Sequence, residues 1–130
     1  MIKSIDHIVL TAQNIEQTIT FYCDVLEMQL ETFAPPDGSP ARQALKFGNQ
    51  KINLHDAKAP YVPHAKNPTS GAIDICFLSD LSIQEWIKRF GSHNIPIEHG
   101  PVQKTGATGP LMSIYVRDPD GSLIEISNQI

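Results

Sequence analysis

Residues 112–127, MSIYVRDPDGSLIEIS, decide how this chain is read. Met112–Val116 and Leu123–Ser127 are short runs rich in apolar and β-branched residues, and Asp118-Pro-Asp-Gly121 joins them. That joint is turn chemistry: Pro presets φ, an Asp side chain bonds the backbone two residues on, and Gly accepts a positive φ. The stretch therefore reads as a strand, a turn and a strand. Its second arm carries Glu125 inside LIEI, where a carboxylate facing a core would need a partner. Glu125 is thus hard to read as ordinary packing unless its face is open to solvent.

Working outward, the hairpin closes a pattern that has already run once. Ala72–Leu78 reads as a strand, and Ser82 with Glu85 fits the capping-box start of a helix. Ile83, Trp86, Ile87 and Phe90 supply that helix's apolar face, with Gly91 as its stop. Ile95–Glu98 is the next short apolar piece. Ahead of this, Ile5–Leu10 reads as a strand, and Asn14 with Gln17 marks a helix start. Ile15, Ile19, Tyr22 and Leu26 give the helix one apolar face. Met28–Phe33, Gln43–Phe47 and Lys51–His55 follow as strands, the last two joined by a Gly48-Asn49 hairpin turn. Residues 56–70, interrupted by Pro60, Pro63 and Pro68, form a connector. The order β-α-β-β-β thus occurs twice, over about 1–62 and 68–130, which predicts an α+β chain whose halves meet near residue 65.

Composition narrows the classes of function. A chain of 130 residues with 41% hydrophobic content can bury a core. Ten basic residues, spread without a run, and a net charge of -4 leave no reason to expect nucleic acid or an anionic membrane as partner. No stretch approaches the roughly 18 apolar residues of a spanning helix, and the first ten residues lack a signal-peptide core. Cys23 and Cys76 stand far apart and read as reduced thiols, so the expected location is the cytoplasm.

The stretches IDHIVLTAQNIEQTITFYCDVLEM, KFGNQKINLHDA and IYVRDPDGSLIEISN resemble the glyoxalase/bleomycin resistance/dioxygenase superfamily, also called vicinal oxygen chelate. INLH, KTGATGP and SIYVRDPDG are similar to a subgroup named glyoxalase-domain-containing or virulence-related. The resemblance implies two βαβββ modules forming a paired, curved mixed sheet around a cleft. It also implies a divalent metal there, whose open positions take adjacent oxygens of a small substrate. Relatives include isomerases, lyases, extradiol-type dioxygenases and metal-free drug-binding resistance proteins, so the family defines a site better than a reaction. Many pair modules across a dimer, which makes a homodimer the expectation.

Family ligands come from the first and last strands of each module. By that pattern His7 and Glu125 stand in place, and His55 ends the first module's last strand, with Asn53 two residues earlier on the same face. Where the family usually has a second first-strand His, this chain has Asp74. One reading is a four-ligand set of His7, His55, Asp74 and Glu125. The other, preferred here, is a triad of His7, His55 and Glu125 with Asp74 beside it, a set that suits Fe and could hold Mn, Ni or Zn. Glu125 is then the first candidate to move a proton. Strand parity turns Val9, Cys76, Leu78 and Tyr115 toward the pocket, with Tyr115 and His64 as possible helpers. The glycine-containing segment 104–110 could flank it. His64, His93 and His99 fall in loop contexts and read as surface residues, His64 and His99 being the two that could reach a substrate.

Overall fold

Each β-α-β-β-β run becomes one four-stranded mixed sheet in the computed structural model, which describes all of residues 1–130. The chain divides into two compact units, Met1–Ser70 and Gly71–Ile130, and the class is α+β. In the first unit β1 (His7–Ala12), β2 (Gln29–Phe33), β3 (Arg42–Phe47) and β4 (Gln50–Asp56) lie in the order β1-β4-β3-β2. β1 runs parallel to β4 and the other pairs are antiparallel. Gly48 and Asn49 alone turn β3 into β4, Gly48 taking the left-handed φ of 52° that such a turn requires. In the second unit β5 (Asp74–Leu78), β6 (His99–Thr105), β7 (Pro110–Arg117) and β8 (Leu123–Gln129) repeat the arrangement as β5-β8-β7-β6. The Asp118 carboxylate closes the β7–β8 turn, accepting the backbone N–H groups of Asp120 and Ser122 at 2.9 Å each.

Both helix starts follow from their caps. The Asn14 side chain accepts the N–H of Gln17 at 3.0 Å, opening α1 (Ile15–Ile19), which continues as a π-helical segment over Thr20–Val25. That wider winding changes the buried face. Thr18, Phe21, Tyr22 and Val25 are buried, whereas Ile15, Ile19 and Leu26 are only half-buried, so of the expected stripe only Tyr22 lies in the core. Ser82 accepts the N–H of Glu85 at 3.2 Å and opens α2 (Ile83–Ser92). This helix runs past Gly91. It stops at Asn94, whose φ of 57° supplies the left-handed residue that ends it.

The period of two along each strand then decides what faces the helix. In the second unit Phe77, Ile114, Val116, Ile124 and Ile126 are buried beneath Ile83, Trp86 and Phe90 of α2, which packs on β7 and β8. Their alternates (Asp74, Cys76 and Leu78 on β5, Ser113 and Tyr115 on β7, Glu125 and Ser127 on β8) fall on the opposite, open face. In the first unit Leu10, Ala12, Leu45, Ile52 and Leu54 form the core side. His7, Val9, Asn53, His55 and Arg42 belong by the same alternation to the open side.

Three strands differ from expectation, β5 starting at Asp74 rather than Ala72. β1 starts at His7 rather than Ile5, which is 66% exposed. The piece Ile95–Glu98 is not a strand; the edge strand is His99–Thr105, bulged between His99 and Val102. Gly100, at φ 97°, permits that bulge, since a Cβ there would come within 2.4 Å of the Ser113 carbonyl oxygen.

Candidate functional site

Glu125 stands at the centre of the open face of the second sheet, opposite Cys76 on β5 and Tyr115 on β7. One of its oxygens is held. Ser113 Oγ donates to Oε2 at 2.6 Å and Ser127 Oγ reaches the same atom at 3.2 Å. The two hydroxyls are 2.7 Å apart, and the Cys76 Sγ lies 3.2 Å from Ser127 Oγ. Both serines are fully buried, at 0% exposure, so this arrangement is part of the sheet's own packing. Each serine has a single hydroxyl proton, and Ser113 directs its own at Oε2.

Tyr115 completes the surround. Burial first, and then a hydrogen bond to Glu125 and the charges of Glu125 and Asp74, push its phenol up to about 12, so at neutral pH it is an O–H donor. The His99 ring lies 5.6 Å from the Tyr115 ring, and Lys104 Nζ lies 5.9 Å from its centroid. Glu98 is occupied elsewhere: Arg117 grips both its oxygens at 3.0 and 2.9 Å and holds its carboxyl below the usual range.

A pocket of about 510 Å³ opens on this face, lined by Glu125, Tyr115, Cys76, Leu78, Leu111 and the segment Lys104–Thr108. A second hollow of about 440 Å³ adds Asp74 and His99 to Lys104, Tyr115 and Glu125. Cys76, Leu78 and Tyr115, expected at the pocket from strand parity, line it, and the segment beginning at Lys104 borders it. Ser113 and Ser127 escaped the sequence reading. Their parity with Tyr115 and Glu125 was the available signal, but serine carries no strand signature of its own.

The first unit presents its candidates differently. His7 is exposed, and its Nδ1 lies 2.8 Å from the Asp6 carboxylate. His55 is only 5% exposed, with a buried Nδ1 that has no hydrogen-bond partner. Burial, followed by the charges of Arg42 and His64, holds its pKa below the ordinary histidine value. The two histidines are offset by four positions along the parallel β1–β4 pair, since His7 stands opposite Lys51 and Thr11 opposite His55. That is about 13 Å along the strands.

Comparing registers within the two units relates the candidates. In the first, His7 faces Lys51 and Val9 faces Asn53; in the second, Asp74 faces Leu123 and Cys76 faces Glu125. His7 and Asp74 each open the first strand of their unit, and matching the strands from there makes Asp74 the counterpart of His7 and Asn53 the counterpart of Glu125. His55 corresponds to Ser127, one step further along. No three His, Cys, Asp or Glu side chains gather into a group able to hold a metal ion. Asp74 and Glu125 do border one hollow together.

Comparison with known proteins agrees with this architecture. Residues 4–126 match the model of the Glyoxalase/Bleomycin resistance protein/Dioxygenase superfamily. The chain is 46% identical over 130 residues to virulence protein STM3117 of Salmonella typhimurium, covering all of this chain and 87% of that protein. The crystal structure of that protein superposes with a TM-score of 0.92, covering 100% of this chain and 99% of that one. Glyoxalase domain-containing protein RDO1 of Mycosarcoma maydis is 43% identical over 127 residues, 98% of this chain and 69% of that protein. Lactoylglutathione lyase from Agrobacterium tumefaciens is 28% identical, with a TM-score of 0.68 over 96% of this chain and 92% of its own. On the family match over residues 4–126 and these relatives, the chain belongs to the glyoxalase/bleomycin resistance/dioxygenase superfamily.

Proposed function

We propose that this chain is a divalent-metal enzyme acting on a small substrate with adjacent oxygen atoms, and that Glu125 is both a ligand and its proton-moving group. The observation that carries the reading is the Glu125 carboxylate, fixed through Oε2 by Ser113 and Ser127 at the wall of a pocket of about 510 Å³. Hydroxyls on Oε2 fix the orientation of the carboxylate, the way outer partners orient a ligating one. The donor types suit such an ion, an imidazole from His7 and carboxylates from Asp74 and Glu125 being nitrogen and oxygen ligands for Fe, Mn, Ni or Zn, although the three are not gathered into one group. We assign Asp74 ahead of His55 as the third donor, because Asp74 occupies the register of His7, whereas His55 lies one step past the register of Glu125.

A bound ion would supply Lewis acidity toward substrate oxygens or, as iron, O₂ activation. The side chains do the rest. The Glu125 carboxylate takes or returns a proton, and Tyr115 offers it a phenolic O–H. Leu78 and Leu111 give the pocket apolar walls that limit water, and Lys104 places a positive charge at its border. A lyase or isomerase, or an extradiol-type dioxygenase, fits these parts, and the lactoylglutathione lyase relative favours the former.

The test is the metal content of protein reconstituted anaerobically under reducing conditions, read by mass spectrometry. Near-stoichiometric metal is expected, retained by His55→Ala and lost in His7→Ala, Asp74→Ala and Glu125→Gln. Loss in His55→Ala with retention in Asp74→Ala would restore the triad of His7, His55 and Glu125. Metal far below stoichiometric in the unmodified chain would overturn the reading in favour of a metal-free small-molecule or drug binder. Sedimentation of the same samples tests the homodimer we expect of a cytoplasmic member of this family.

A further inference from the structure

Four buried side-chain polar atoms in the chain have no hydrogen-bond partner, and three lie on the open side of the first sheet: Arg42 Nε, Asn53 Oδ1 and His55 Nδ1. The register explains why they are neighbours. Ala44 stands opposite Asn53 in the antiparallel β3–β4 pair, so two residues further on Arg42 comes level with His55. The loop after β4 adds an aromatic lid. Tyr61 meets His55 edge to face at 5.3 Å, and the Arg42 guanidinium sits 4.0 Å from the centre of the same ring. His55 is 5% exposed, while Arg42, Asn53 and Tyr61 are half-buried, so the group is bordered by accessible surface.

Buried polar atoms are nearly always paired, and leaving one unpaired costs about 1–3 kcal/mol. Three in one place, on side chains that could each have been apolar, point to a partner supplied from outside the fold. We propose that Arg42, Asn53, His55 and Tyr61 form a binding site for a small 2-hydroxycarboxylate.

The chemistry selects that class. The guanidinium offers a planar fork matched to a carboxylate. Asn53 Oδ1 is an acceptor, so the ligand must also carry a donor next to its charge, which a 2-hydroxyl supplies and a plain carboxylate does not. The Arg42 guanidinium is the group's fixed positive charge, suited to a monoanion. The Tyr61 ring offers an apolar wall to the rest of the molecule. This site uses residues of the first unit alone and does not rest on the metal.

The experiment is an NMR titration of the full-length, metal-free chain with sodium lactate at constant ionic strength, watching the Arg42 Nε–H and His55 ring signals. Saturable shifts are expected with lactate and none with lactamide, which lacks the charge. Propionate, lacking the hydroxyl, is expected to bind several-fold more weakly than lactate, and Asn53→Leu to erase that difference. Arg42→Gln is expected to weaken lactate by about ten-fold or more, the value of a charge-assisted hydrogen bond. Should that variant lose its amide dispersion, the comparison of lactate, propionate and lactamide in the unmodified chain still decides. Equal shifts from lactamide, or none from lactate, overturn the site. Tighter binding of inorganic phosphate than of lactate overturns the carboxylate assignment. Repeating the titration in Glu125→Gln separates the two readings: a failed metal site leaves lactate binding intact.

Discussion

At the scale of single residues the candidate site turns on how Glu125 is held. Ser113 is fully buried and donates at 2.6 Å, so Ser113→Ala removes a charge-assisted bond without changing the strand. Because Glu125 is half-buried, we expect about 1 kcal/mol of stability to be lost in urea unfolding. We also expect metal affinity to fall by about 10–100-fold, as when other outer partners of ligands are removed. Ser113→Thr keeps the hydroxyl and should recover most of the affinity; equal affinity in Ser113→Ala and the unmodified chain would show that Ser113 does not orient the carboxylate. Tyr115 gives a second readout in metal-free protein. Its folded pKa of about 12 lies above the ordinary phenol value of 10.0, so the unfolded chain gives up this proton first. The contribution to stability is complete below the ordinary value and is lost as pH rises toward 12. In a spectroscopic tyrosinate titration Tyr115→Phe should remove one late-ionising phenol. Glu125 was legible in the sequence because a carboxylate interrupts an apolar strand. Ser113 and Ser127 were not, since a buried serine looks like any surface serine until its partner is known.

At the scale of elements, edge strand β6 shows how backbone details reach the site. A Cβ on Gly100 would sit 2.4 Å from the carbonyl oxygen of Ser113, the residue that orders Glu125. Gly100→Ala is therefore expected to destabilise the protein by about 1–3 kcal/mol and to weaken metal binding together with stability. A variant as stable and as metal-competent as the parent, measured by urea unfolding and metal titration, would sever β6 from the site. The same strand marks where sequence reading stops. Central strands such as Leu123–Gln129 and Gln50–Asp56 announce themselves by apolar alternation, because one face of each must be buried. β6 has an exposed run with Gly100 and Pro101 inside it, tolerable only at an edge, while Ile95 and Ile97 before it mimic a strand. Caps carried real information: Asn14 and Ser82 open their helices as their side chains dictate. Winding did not, for nothing in TFYCDV distinguishes a π-helical segment from an α-helix, and so the buried stripe was placed on the wrong residues.

At the scale of the whole molecule the fold repeats one register twice while the chemistry at that register diverges. Counterpart positions carry His7 and Asp74, and again Asn53 and Glu125, so the repeat preserves places for donors but not their identity. Element order made the repeat legible. The register could not be read, because slipping one strand by two residues leaves its apolar face unchanged and exchanges Asn53 for His55. The divergence has a thermodynamic consequence. An ion that binds only the folded chain stabilises it by an amount set by its concentration over its dissociation constant, about 2.7 kcal/mol at a hundred-fold excess. For a chain of 130 residues this is a rise in Tm on the order of 10 °C. Scanning calorimetry of chelator-treated protein with and without added Mn²⁺ or Zn²⁺ should show that rise in the parent and in His55→Ala, and should show none in Glu125→Gln or His7→Ala. The lactate site predicts a separate increment, present in Glu125→Gln and absent from Arg42→Gln. If the metal increment disappeared in His55→Ala while persisting in Asp74→Ala, His55 would be a ligand and its unpartnered Nδ1 would belong to the metal rather than to a carboxylate.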